Sequence, residues 1–387
     1  MSKRISWSAA LATVAGCIIF IVIVVDPIWT RLGLHVPARP DLPVNFTQPV
    51  DGYFYVQNAE HGYSWGSDQH LSIWFHPLLM WAIDLLPPAI PGNVRLWLVS
   101  VVSGVAALGL VRSLLQDFSE EKVNPWMIAL ISILPGGLAI ATGNAEFPCL
   151  MFTAALLLSV LKRDNFLLPF LWGGLAVLTK PNALYMVPVL MVYLIHGHVR
   201  RDRRLAIGSL IGISAILLAF TAWVLFVDYQ SHEFGAYWAA RQVSIIPFRN
   251  GPFSLWALSM DVFLHTPDAR FRLKFASALF IPLVDLSLAF VISCRRQVDR
   301  IAMIAGIGAI IVSTFLLDNP TKVIVYMITL PTHFIVSLLF IREAFARDDS
   351  KNISERIVRR SAGVVYLCYC GVMLIFFVLG TPLRWYY

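Results

Sequence analysis

The chain has 387 residues, 58% of them hydrophobic and 14% charged, with a mean hydropathy of +0.71 and a formal net charge of +7. Apolar runs long enough to cross a bilayer recur along it, which excludes an ordinary soluble domain and makes one integral membrane domain over 1–387 the simplest organisation. The Lys and Arg residues fall mostly in short clusters between those runs, where they set topology and meet membrane lipids, so nucleic acid is excluded as a partner.

Lys3 and Arg4 precede an apolar run at 9–25 with no small-x-small cleavage site after it, so the run reads as a retained anchor with a cytoplasmic N-terminus. A first outer loop then covers 27–93. Within it, 51–77 gathers Asp51, Glu60, His61, Asp68, His70 and His76 among aromatic residues. Ionisable groups at a bilayer surface must be solvated, paired or occupied by a ligand, so this stretch is a candidate site.

The apolar run at 71–90 holds His76, Asp84, Pro77, Pro87 and Pro88, with Pro91 just beyond, and the next run is 94–112. If both crossed the membrane, every later basic cluster would lie on the wrong side. Taking 71–90 as a re-entrant or interfacial helix makes the clusters at 112–122, 162–163, 198–204, 294–300 and 342–360 all cytoplasmic. The remaining spans are expected at 125–143, 146–161, 166–180, 182–196, 205–228, 272–293, 301–317, 323–341 and 361–380. The expected fold is therefore an all-α polytopic membrane protein of about eleven transmembrane helices. Its N-terminus is inside, its C-terminus outside, and a second outer loop covers 229–271. Cys17, Cys149, Cys294, Cys368 and Cys370 lie in or beside apolar segments without metal-ligand spacing and read as small core residues.

This topology brings the polar span ends to one side: Asn144 and Glu146, Lys180 and Asn182, Arg241 and Arg249 in the second loop, and Lys322. Each taken alone can snorkel to the interface; together they suggest a shared pocket.

DGYFYVQNAEHGY at 51–63 is similar to W-D-x-x-x-F-x-x-I-A-x-x-G-Y of the PIG-V-like mannosyltransferases, within the GT-C superfamily of membrane glycosyltransferases. SIWFHPLLMWAIDLLP is similar to the F-F-P-L-x-P helix of that family, TGNAEFPCLMFTAALLL to its Y-T-E-S-x-F span start, and GLAVLTKPNALYMVP to its R-x-N-G break. KVIVYMITLPTHFI resembles the R-Y-x-x-x-x-x-P of many GT-C enzymes. The chain departs from the pattern at Val50, where the family has Trp, at Lys180, where Arg is usual, and at Ala183, which stands for Gly.

The resemblance implies a GT-C-like fold and inverting transfer of mannose or another hexose. The donor would be a polyprenyl-phosphate sugar, the acceptor a glycan, lipid or protein, and the reaction would take place on the extracytoplasmic face. Its location would be a bacterial or archaeal plasma membrane, or the endoplasmic reticulum of a eukaryote. Such a transfer needs a base at the acceptor hydroxyl, cations or hydrogen-bond donors at the leaving phosphate, and a groove for the prenyl chain. Asp51 is the expected base, with a helix cap as its alternative role. Glu60 and His61 are expected at the far end of the same helix, as support or acceptor-binding groups. His76, Asn144, Glu146, Lys180, Asn182, Arg241, Arg249 and Lys322 complete the substrate-binding candidates, the cations being suited to phosphate.

No metal site and no cofactor is demanded by the sequence, although the acidic outer loop leaves room for a divalent metal. A secondary transporter or lipid flippase is the alternative, and would be expected to carry internal repeats and broken helices.

Overall fold

The computed structural model describes residues 7–25, 27–28, 50–63, 75–119, 121–163, 165–239, 264–265, 269–316, 323–346 and 353–378. Among these, the side chains at 50, 51, 53, 269–279, 314–316, 323–325 and 376–378 lie outside the description.

The described chain is helical throughout. In order it forms α1 (Trp7–Phe20), which runs on as a π turn over Ile21–Val25, then α2 (Val50–His61), α3 (Pro77–Asp84) and α4 (Gly92–Phe118). Two 3₁₀ segments follow, Pro125–Ile133 and Gly137–Ala141. Next come α5 (Glu146–Lys162), α6 (Leu167–Thr179), a 3₁₀ turn at Pro181–Tyr185, α7 (Met186–Val199) and α8 (Arg203–Ser231). The chain continues with α9 (Ala269–Val291), α10 (Gln297–Leu316), α11 (Val323–Ile328), α12 (Pro331–Phe345) and α13 (Ile353–Val378).

Among the described residues five stretches are long and apolar enough to cross a membrane: Trp7–Val25, Gly92–Phe118, Pro181–Val199, Arg203–Ser231 and Ile353–Ile375. Leu167–Thr179 and Phe280–Val291 are apolar but shorter. The helices bury one stripe in the bundle and turn another outward; α8, for instance, exposes Leu210, Leu217, Leu218, Leu225 and Phe226. Lipid is the solvent such a face suits, since a patch of this size in water would drive association.

Small residues set the closest helix contacts, as expected where packing rather than hydrophobic exclusion joins apolar helices. A Cβ at Gly173 of α6 would sit 3.0 Å from the carbonyl oxygen of Gly212 and 3.2 Å from Ala215, both on α8. Two of the expected spans are interrupted within their length. The 125–143 run is two 3₁₀ pieces because Leu134-Pro135-Gly136-Gly137 interrupts it: Gly136 takes φ +77°, and a Cβ at Gly137 would fall 1.7 Å from the Ile131 carbonyl oxygen. The 323–341 run breaks between α11 and α12, where the chain is extended at Leu330 and restarts at Pro331 in the first helical position.

One end of the bundle is laced together by loop contacts. The Arg295 N–H donates to the Phe118 carbonyl at 2.9 Å, and the Ser293 N–H to Glu343 Oε1 at 2.8 Å. Arg342 reaches Ser119 and Glu121, Arg163 pairs with Asp202, and Asp299 takes hydrogen bonds from Arg296 and from the Tyr193 hydroxyl. The opposite end carries the candidate site.

Candidate functional site

α2 begins one residue before Asp51 and ends at His61. Gly62, at φ +75°, closes it by donating its N–H to the Asn58 carbonyl at 3.0 Å, so the HGY sequence acts as the helix stop. Asp51 thus lies within the described helix. Its side chain lies outside the described residues, as do Asp68, His70, Arg241, Arg249 and Lys322.

An apolar knot fixes α2. Tyr55 and Val56 of α2 pack with Phe75, with Leu79, Met80 and Ile83 of α3, with Leu96 of α4, and with Ala145 just before α5. Phe75 stacks on Phe54 at 5.0 Å and meets Tyr55 edge-on at 4.9 Å. The Tyr55 hydroxyl reaches across to the Thr179 carbonyl at 3.4 Å, which ties α2 to the end of α6. In the same region the Ser100 hydroxyl of α4 donates to the Asn144 carbonyl at 2.7 Å. The turns bearing Asn144, Glu146 and Lys180 are therefore joined to the 51–63 helix.

Glu60 pairs with Arg95 of α4 at 2.9 Å, and Arg95 is also within 3.4 Å of the Ile83 carbonyl. The approach depends on Gly92, because a Cβ there would lie 2.4 Å from Glu60 Oε1 and 2.5 Å from Val56 Cγ1. Arg95 is buried and its Nε has no partner among the described residues. Sequence reasoning missed this arginine. The available signal was an uncommon cation in the first turn of a membrane-length helix, a placement that demands a counter-charge nearby. His61 is exposed at the end of α2.

His76 is fully buried before Pro77, which opens α3. Its Nδ1 contacts the Val177 carbonyl, an acceptor only, so Nδ1 carries the hydrogen. Its Nε2 then accepts from the Tyr237 hydroxyl at 3.0 Å. Phe220, Trp223 and Tyr237 surround the ring. Desolvation by this burial lowers the pKa of His76 to about 3, only partly opposed by the Val177 hydrogen bond. His76 is thus a neutral strut between α6 and the 235–239 segment, with both ring nitrogens engaged, and not a cation facing phosphate.

Lys180 also differs from expectation. It does not snorkel to the interface but is buried and ion-paired with buried Glu146. Local structure favours the pair: Glu146 is the first residue of α5 and Lys180 follows the last residue of α6. Each charge thus meets the helix end of opposite partial charge. Asn144 and Asn182 flank the pair by sequence. The Asn144 amide donates to the Thr142 hydroxyl at 2.7 Å, while its Oδ1 is buried with no partner among the described residues. The buried Asn182 Nδ2 likewise lacks one. Unmet buried amide atoms cost about 1–3 kcal/mol each, which a polar ligand or water would recover. Among the described residues no three His, Cys, Asp or Glu side chains gather as a metal-ligand set.

Chemically, this end offers a buried Lys–Glu pair, a buried arginine with a spare donor, and two unmet amides, next to a helix that carries Asp51. Neither a scan against protein-family models nor a search of curated proteins finds a match to the chain.

Proposed function

We propose that the chain is a GT-C-type membrane glycosyltransferase that moves a hexose from a polyprenyl-phosphate donor to an acceptor on the extracytoplasmic face, with Asp51 as base. The observation that carries this reading is the attachment of α2 to the Lys180 turn through Tyr55 and Thr179. Helical register puts position 51 one turn before Tyr55, on the same face of α2. The acid is thereby carried on the helix that Tyr55 ties to the turn before Lys180. Lys180, Arg95, Asn144 and Asn182 would receive the phosphate and sugar hydroxyls, and Glu60 would hold Arg95 in place.

The eleven-span topology belongs to the same proposal. At eight residues α3 is about 12 Å long, too short for a hydrocarbon core of about 30 Å, and it exposes Trp81, followed by exposed Leu85, as an interfacial helix would. Cysteine labelling from outside should reach position 61 and not position 201; label at 201 would sink the topology.

A transporter or flippase is the second reading, favoured by the two interrupted segments at Pro135 and Pro331. The deciding experiment is sugar transfer by the purified protein from a polyprenyl-phosphate sugar, with Asp51→Asn as control, beside flux of the same lipid in proteoliposomes. Flux without transfer would replace the first reading by the second.

A further inference from the structure

A second buried histidine lies in the bundle, outside the set of site residues described above. Asp285 of α9 and His333 of α12 are each 1% exposed. His333 Nδ1 contacts Asp285 Oδ2, and its Nε2 lies 3.1 Å from the carbonyl oxygen of Pro135, at the break between the two 3₁₀ segments. A carbonyl oxygen can only accept, so Nε2 carries a hydrogen and donates it to Pro135. An ionised carboxylate also only accepts. With a neutral ring protonated at Nε2, the Nδ1 lone pair would point at a negative carboxylate. The contact is satisfied only when one further proton is present, on Nδ1 or on Asp285.

We infer that Asp285 and His333 form a proton-binding site within the helical bundle, holding one proton between them. Without that proton a bare carboxylate would remain buried against a lone pair, a state that water does not relieve there. The setting fits a ligand site. Two interrupted segments meet at it, one broken at Pro135-Gly136 and the other restarting at Pro331, two residues before His333. Intramembrane ionisable pairs at such breaks mark proton and ion sites.

The titratable groups facing the pair are Tyr366, Tyr369 and Cys370 of α13, each in the field of Asp285. The 3₁₀ segments bring no titratable side chain. Other charged groups on packed elements are engaged at the laced end: Asp299 of α10 by Arg296 and Tyr193, and Arg342 of α12 by Ser119 and Glu121. The inference holds for either reading of the overall function.

The hydrogen-bond inventory also supplies the test. Asp285→Asn offers an amide N–H to Nδ1 while Nε2–H still donates to Pro135, so every bond survives with no extra proton. In an unfolded chain His titrates near about 6.5. Above that pH the unfolded state has released a proton that the folded state keeps, so stability falls as pH rises, by about tenfold in the folding equilibrium per pH unit. Detergent-solubilised wild type should therefore lose thermal stability from about pH 6.5 to 8.5, and Asp285→Asn should be flat across that window. The same slope in both proteins overturns the proposal. Should Asp285→Asn fail to fold, ¹⁵N-histidine NMR and carboxyl infrared spectra of the wild type at about pH 8 decide, because the site requires an imidazolium or a protonated acid. A neutral ring bare at Nδ1, with no protonated carboxyl band, overturns it.

Discussion

The two buried histidines, one at each of two polar regions, differ in a single partner. His76 sits between a carbonyl and a hydroxyl; the hydroxyl can donate, so the ring is complete while neutral. His333 sits between a carbonyl and a carboxylate, neither of which donates, so its site is complete only with an added proton. Burial alone therefore does not determine the charge of a histidine. The donor capacity of the second partner does, and it gives the two regions opposite responses to pH.

On the two proposals above, group transfer would belong to the region around His76 and proton retention to the region around His333. The largest expected effect is at Asp51. Asp51→Asn should lower sugar transfer by about 10² to 10⁴ while leaving expression and monodispersity unchanged, because Asn keeps the size and loses only the base. Activity near wild type would remove Asp51 from the chemistry. Next comes the ion pair. Lys180→Met should cost about 3–5 kcal/mol by stranding buried Glu146, and the double variant with Glu146→Leu should recover much of that. Thermal unfolding of all three variants checks this; a harmless single variant would mean that the pair is solvated.

A smaller loss is expected for Gly92→Ala. The new Cβ would meet Val56 and the tip of Glu60, and overpacking of this kind costs about 1–3 kcal/mol. A double-mutant cycle with Glu60→Gln should show coupling, and strict additivity would contradict the close approach. At neutral pH the smallest effect is that of His76, which appears only as an acid-side slope. Its pKa is lowered to about 3 in the folded protein, against about 6.5 unfolded, so between those values only the unfolded chain binds the proton. Stability should thus fall as pH drops from about 6.5, again by about tenfold per unit, and His76→Gln should flatten that limb alone. Retention of the slope in His76→Gln would place its origin elsewhere.

Segment positions were largely legible in the sequence, because hydropathy and Pro-Gly punctuation are local. The runs expected at 94–112 and 205–228 appear as Gly92–Phe118 and Arg203–Ser231. The 3₁₀ character of 125–141 was less legible, since it follows from Gly137 passing under the Ile131 carbonyl. Of the site, the acidic helix and the Glu146 and Lys180 turns could be identified from residue type. Their pairings could not. Glu60 meets Arg95 and Asp285 meets His333 across separations of 35 and 48 residues, and only the packed bundle sets those distances. The two partners of His76, Val177 and Tyr237, are more remote still in sequence, at 101 and 161 residues, and could not be identified from it.

The laced end described above has a mechanical consequence. Backbone N–H groups of Ser293 and Arg295, bonded to Glu343 and Phe118, tie the α9–α10 turn to the ends of α12 and α4. The ends of α4, α9, α10 and α12 thus share one set of backbone anchors, so Glu343→Ala, which removes the acceptor of the Ser293 N–H, should loosen more of the bundle than the one turn it touches.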